Sequence, residues 1–239
     1  LMTLVSYTWS KSLDDSSGYF GVENGAGQGG SSVQNFFDPR SNYSVSGYDV
    51  PHFFSWYTVW ELPAGKGKRW LQSGPASWLL GNWQANYIFQ ARSGQPFNLN
   101  VSGDPANISG SGAVGTVSGY SRPNLIGNPI PAKQTAAQWF NPSAFSIPVG
   151  SFGNFGRNQL RSSHVVNMDF SMFKNVPLGE TRELQFQFQA FNIFNIQNLA
   201  APGSSGSSNG TTIGNKGAGI VSSIVGSPRE MQFGVRFVF

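Results

Sequence analysis

The sequence predicts an all-β fold of antiparallel up-and-down strands, a transmembrane β-barrel segment, and three observations predict it. Apolar and polar residues alternate at period two along several segments. Each of those segments has one apolar and one polar face, the polar one amide-rich over 183–190. The connections between them are short and long in strict alternation, as in barrels with short turns at one membrane face and long loops at the other.

Strands are expected first over about 1–13 and 52–62, where aromatic residues occur on both faces and leave the inward side open. Over 82–91, Trp83, Ala85, Tyr87, Phe89 and Ala91 oppose Asn82, Gln84, Asn86 and Gln90. Next, Val166, Met168, Phe170 and Met172 oppose Asn167, Asp169 and Ser171. Leu184, Phe186, Phe188 and Ala190 then oppose Glu183, Gln185, Gln187 and Gln189. In the last strand Met231, Phe233, Val235, Phe237 and Phe239 oppose Gln232, Gly234 and Arg236. The amide-rich face is expected to line a lumen, with Gln84, Asn86, Asn167, Asp169, Gln185, Gln187, Gln189 and Arg236 among its residues. Trp9, Trp60 and Trp78 fall near expected strand ends, where amphipathic rings favour a membrane interface.

The connections 14–51, 92–163 and 197–228 are long and those at 63–78 and 175–182 short. A last strand descending to the periplasm puts the long ones outside the cell. Closing a membrane barrel takes at least about eight strands, because an unpaired edge in lipid leaves backbone groups unsatisfied. Six are expected here, so further strands are expected upstream of Leu1, the chain being the C-terminal part of a barrel domain.

Composition narrows the classes. Charged residues are 11% of the 239, against about 25% in typical globular domains, while aromatics reach 14% and glycine 30 residues. The net charge of +4 comes from 15 basic and 11 acidic residues scattered singly, which gives nucleic-acid binding little support. Without cysteine there is no disulfide or thiolate chemistry. No stretch has the 18 or more apolar residues that a membrane helix needs, and the N-terminus lacks the basic start of a secretory signal.

Sequence motifs occur along the whole chain: Tyr7-Thr8-Trp9-Ser10-Lys11-Ser12-Leu13-Asp14, Tyr48-Asp49-Val50-Pro51-His52-Phe53, Glu61-Leu62-Pro63 followed by Gly65-Lys66-Gly67, and Gly81-Asn82-Trp83-Gln84. Ser93-Gly94-Gln95-Pro96-Phe97, Trp139-Phe140-Asn141-Pro142-Ser143-Ala144-Phe145 and Gly153-Asn154-Phe155-Gly156-Arg157-Asn158 follow. Phe191-Asn192-Ile193-Phe194-Asn195 and Pro228-Arg229 with Gln232-Phe233-Gly234 complete the series. In this order they resemble the C-terminal barrel of TonB-dependent receptors of the Oar-like type, which carry a carboxypeptidase-regulatory-like domain at their N-terminus.

The resemblance implies a Gram-negative outer-membrane location, a 22-stranded barrel closed by a plug, and energised uptake of a solute through the TonB complex. Plug and TonB box are absent from these residues, so no energy-coupling residue carries over. Phe233, Phe237 and Phe239 resemble the C-terminal signal read by the barrel-assembly machinery. The expected partners are outer-membrane lipid, that machinery, the TonB complex through the plug, and a transported ligand.

Chemistry of other kinds finds few candidates. His52 and His164 are far apart and lack further ligands at metal spacing, so no metal, cofactor or enzymatic activity is expected. Gly25-Ala26-Gly27-Gln28-Gly29-Gly30 matches a dinucleotide fingerprint but has no strand before it or helix after it, and reads as a loop. Asp14, Asp15, Asp38 and Asp49 could gather around calcium, although solvated loop acids are the expectation. Asn98, Asn100, Trp139 and Phe140 are candidate ligand contacts in the longest loop, a mixture suited to sugars or peptides. The competing class is a secreted or surface-anchored β-rich adhesin that binds glycans.

Overall fold

The structure is a computed structural model and describes residues 1–15, 17, 34–35, 37–103, 105–107, 121–179, 182–204 and 210–239. Six long strands dominate it: β1 (Met2–Trp9), β2 (His52–Glu61), β3 (Trp83–Arg92), β4 (Val165–Pro177), β5 (Glu183–Phe191) and β6 (Glu230–Val238). They form one antiparallel sheet in sequential order, each paired with its neighbour in the chain. Lengths of 8, 10, 10, 13, 9 and 9 residues suit a tilted crossing of a bilayer, for which about 9–11 residues are needed. Strands β1 and β6 are the edges of this open sheet.

Register settles which residues share a face. Opposite Ala91, Phe89, Tyr87 and Ala85 of β3 stand Val166, Met168, Phe170 and Met172 of β4. Phe188 then faces both Met172 and Phe233. Rings form a row across this apolar face, with centroids of Tyr87–Phe170, Phe170–Phe188 and Phe188–Phe233 at 5.2, 6.2 and 5.1 Å. Tilted and edge-on pairs at such spacings each add about 0.5–1.5 kcal/mol beyond the area they cover. The face remains open: Phe233 is 81% and Val235 66% exposed.

The same register assigns the two strands that the sequence left ambiguous. Phe54, Trp56, Thr58 and Trp60 pair with Ala91, Phe89, Tyr87 and Ala85, so they lie on the apolar face, and Val5 and Tyr7 extend it into β1. Phe53, Ser55, Tyr57 and Val59 lie on the other face, where the Tyr57 hydroxyl accepts a hydrogen bond from Gln90 Nε2 at 3.0 Å.

All three long connections leave one end of the sheet, which follows from an antiparallel meander. The other end carries the 178–182 turn and a longer connection, 62–82, that contains a short helix, α1 (Pro75–Leu80). Trp78 therefore stands on a helix and not at a strand end, and β3 begins only after Asn82 has turned the chain at φ 55°. At the first strand the expected span over 1–13 also divides: β1 ends at Trp9, and Leu13–Asp14 pairs separately with Ser44–Val45.

The hydrophobic core lies outside the six-stranded sheet. Phe97, Leu99, Val101, Trp139, Phe140, Phe145, Phe155, Leu160, Ile213 and Val221 form one buried cluster, drawn from the connections after β3 and β5. Two-residue strand pairs stitch it together. Pro96–Phe97 pairs with Leu160–Arg161, and Asn124–Leu125 with Phe145–Ser146. Asn100–Val101 runs parallel to Thr212–Ile213, which joins the two connections. Phe140 sits between Phe97 and Phe145, at centroid distances of 6.3 and 6.0 Å.

Candidate functional site

Two surfaces can meet a solute: the polar face of the sheet and the packed cap built by the long connections. On the polar face, side-chain amides bond along and across strands. Gln84 donates to Asn86 at 3.0 Å, Asn167 to Asp169 at 2.9 Å, Gln185 to Asn175 at 2.9 Å and Gln187 to Gln185 at 2.6 Å. Gln232 donates to Gln189, its cross-strand partner. Arg236 stands opposite Gln185 on the same face. Amide donors and acceptors in this density, with Asp169 and Arg236 as charges among them, give a wetted surface that can exchange hydrogen bonds with a polar solute mainly through neutral groups.

Where this face meets the long connections, a cavity of about 380 Å³ is lined by Asn167, Asp169, Phe191, Asn192, Ser227 and Glu230 among others. Its shape depends on the Phe191–Asn195 motif. Asn192, at φ 47°, receives Ile196 N–H on its side-chain oxygen and donates to the carbonyls of Ile196 and Ser227. Asp169 accepts the backbone N–H of Asn192 at 2.9 Å, so one of the two cavity carboxylates is partly committed to the turn.

The cap is held by arginines. Arg157, 2% exposed, donates through Nε to Asn42 O at 3.0 Å, through Nη1 to Ser17 Oγ at 3.1 Å, and through Nη2 to the Asp14 carbonyl at 2.5 Å and to its carboxylate. Arg161 pairs with Asp49, itself 2% exposed, and also donates to Gly94 O at 3.1 Å. Arg122 donates to Asn42 Oδ1 at 3.2 Å. These contacts bring the 14–51 connection onto the 92–163 one, across more than a hundred residues of chain in two of the three cases. Burial on its own would raise the Asp14 carboxyl, but hydrogen bonds from Arg157, Ser46 and Ser17, with the Arg157 charge, hold it below its ordinary value.

Two glycines permit close approach there. A Cβ on Gly94 would lie 1.9 Å from Ser162 O, and one on Gly153 would lie 1.8 Å from Arg122 O. Both atoms are backbone carbonyls and cannot swing aside.

Several sequence candidates fall elsewhere than expected. Trp139 and Phe140 are in the cap core, with the Trp139 indole N–H donated to Arg161 O at 2.7 Å, so their rings hold the cap together and do not face solvent. Asn98 accepts Asn158 N–H at 2.8 Å, and Asn100 lies in the parallel pair with Thr212. Asp14 and Asp49 face separate arginines and are not solvated acids around a common point. Among the described residues no three His, Asp or Glu side chains group as metal ligands. His52 stacks on Tyr7, with 2.8 Å between Nδ1 and the hydroxyl. The glycine-rich 25–30 segment lies outside the described residues. Arg122, Arg157 and Arg161 were not singled out from sequence as cap residues, although Arg157 lies within one of the quoted motifs.

An exposed apolar face, strands of membrane-spanning length and a polar opposite face define an outer-membrane β-barrel protein. A family model described as the outer membrane beta barrel domain matches residues 1–232, and the chain belongs to that family. Its location is accordingly the outer membrane. No curated protein and no solved structure gives a match.

Proposed function

We propose that the chain forms part of the wall, and the ligand-capturing external cap, of a TonB-dependent transporter for energised uptake of a solute. The observation that carries this reading is the interlocked cap. A pore with mobile loops has no need of a buried core and arginine clamps beyond the membrane, whereas a receptor that captures ligand needs a preorganised surface there. Motifs that resemble Oar-like receptors supply its parts: Asp49, Gly94, Phe97, Trp139, Phe140, Phe145, Gly153 and Arg157.

In this reading the long connections are external, the short ones periplasmic, and the amide-rich face lines the lumen. The open edges β1 and β6 pair with further strands of the same barrel, because lipid satisfies no backbone group. Plug and TonB box are contributed by other parts of the receptor, and Phe233, Phe237 and Phe239 are read by the barrel-assembly machinery. No catalysis is assigned. An adhesin that works in water is disfavoured by the exposed aromatic face.

Uptake of labelled oligosaccharides and peptides by cells producing the full-length protein, with and without a functional TonB complex, tests the reading. Accumulation that depends on both the protein and TonB is expected. Accumulation unaffected by loss of TonB would refute energised transport and leave a passive barrel.

A further inference from the structure

We infer that the short-connection end carries a binding site for the phosphate headgroup of an anionic phospholipid, with α1 lying in the membrane interface beside it. The inference rests on the proposed reading in one respect, that this end faces the periplasmic leaflet.

The first observation is a cation placed on the lipid side. Register puts Lys174 opposite Trp83 on the apolar face, the one position of β4 where a charge interrupts the Val166–Met172 alternation. Lys174 is 7% exposed, donates to Gly81 O, and lies 5.6 Å from the centre of the Trp83 ring. It makes no ion pair among the described residues. An ammonium has three donors, so a buried lysine with one carbonyl acceptor and an aromatic face leaves hydrogen-bonding capacity that an anion would complete.

The second is a cavity of about 180 Å³ beside it, whose lining includes Lys66, Gln72, Trp78, Asn82, Lys174 and Asn175. The lining holds two lysines, several neutral donors and no carboxylate. That donor set suits a phosphodiester, and the absence of an acid leaves nothing to attract the amine of a zwitterionic headgroup.

The third is the apolar surface around it. Trp78, Leu79 and Leu80 of α1 are 67, 60 and 53% exposed, and Trp70 is 57% exposed. The helix is tied to the apolar face by the Trp83 indole N–H, which donates to Leu79 O at 3.1 Å. Its exposed side is therefore continuous with the lipid-facing surface of β3 and β4. Exposed Trp and Leu at this depth match acyl chains and interface, with cations at the phosphate level.

The test is native mass spectrometry of the full-length protein released from vesicles of phosphatidylglycerol and phosphatidylcholine in equal amounts, with inorganic phosphate as a third arm. Retained phosphatidylglycerol adducts in preference to phosphatidylcholine are expected. Loss of one interfacial lysine is expected to weaken retention roughly fivefold, read with Lys66→Gln, an exposed position, and with Lys174→Met, which keeps the stem against Trp83. Fluorescence quenching by brominated phosphatidylglycerol should fall in Trp78→Phe. Equal retention of both lipids, or no effect of Lys66→Gln, overturns the site, and displacement by millimolar phosphate alone reassigns it to a free anion. A full-length protein that fails to enter vesicles at all refutes the membrane orientation instead, so the two failures are distinguishable.

Discussion

Replacing Arg157 by alanine should release the 14–51 connection from the cap while leaving the six-stranded sheet intact. The guanidinium is 3% exposed and its Asp14 partner 24%. Removing one member of a buried ion pair costs about 3–5 kcal/mol, and the partly wet Asp14 carboxylate places this case at the low end, about 3 kcal/mol. Asn42 O and Ser17 Oγ lose their donor in the same step. At 1.36 kcal/mol per tenfold, the open population should rise by roughly a hundredfold or more.

Hydrogen exchange reads this directly, because Ser46 N–H is bonded to Ser12 O at 2.9 Å and Gly47 N–H to Ser17 Oγ at 2.6 Å. A peptide covering 42–49 should exchange about a hundredfold faster in Arg157→Ala, and one covering 184–190 of β5 should not change. Arg157→Lys should fall between, since a point charge cannot reach Asn42, Ser17 and Asp14 together. Unchanged exchange at 42–49 in Arg157→Ala would refute the clamp. Equal acceleration in both peptides would show that cap and sheet open as one unit, which also contradicts the reasoning.

Three further outcomes follow from the same geometry. The Asp14 carboxyl is depressed in the folded protein, so the stability it adds is complete above the ordinary carboxylate value near 3.9 and is lost as pH falls below it. Protection of 42–49, corrected for intrinsic rates, should therefore drop as pH falls below about 4, more steeply in the native chain than in Asp14→Asn, and equal slopes would sink the idea. Gly94→Ala and Gly153→Ala should each lower cap stability by about 1–3 kcal/mol or more in denaturant titrations, whereas Gly127→Ala, whose Cβ would lie 3.5 Å from Ala144, should be tolerated. Phe233→Arg should destabilise the vesicle-inserted full-length protein by about 2–4 kcal/mol, and Gln187→Arg on the opposite face by far less; equal urea midpoints would refute the assignment of faces.

The long strands were legible because each of their faces meets one kind of surroundings, and period two records that difference. The pattern failed where a residue serves both. Tyr57 is aromatic yet stands on the polar face through its hydroxyl, and Lys174 is charged yet lies on the apolar face against Trp83. Helix α1 was missed because Trp78-Leu79-Leu80 has no polar alternation and spans less than two turns, so nothing distinguished it from the start of a strand. The cap was illegible for a different reason. Its strand pairs are two residues long and its clamps join residues far apart in sequence, as in Arg157 with Asp14, so no local period exists to be read. Motif order marked these segments as special without revealing that their task is packing.

That division moves the search for ligand contacts. In the connections the conspicuous aromatic and charged residues, Trp139, Phe140, Arg157, Arg161 and Asp49, are engaged in holding the cap. A side chain that packs a core or neutralises a buried partner cannot also exchange with solvent and ligand at low cost. In the proposed reading, solute contact then comes from the polar groups of the cap that hold no clamp and from the half-exposed amides of the polar face. A receptor built this way would select by shape and by many neutral hydrogen bonds, and its affinity should vary little with ionic strength. Uptake or binding that weakened steeply with added salt would instead require a charged contact.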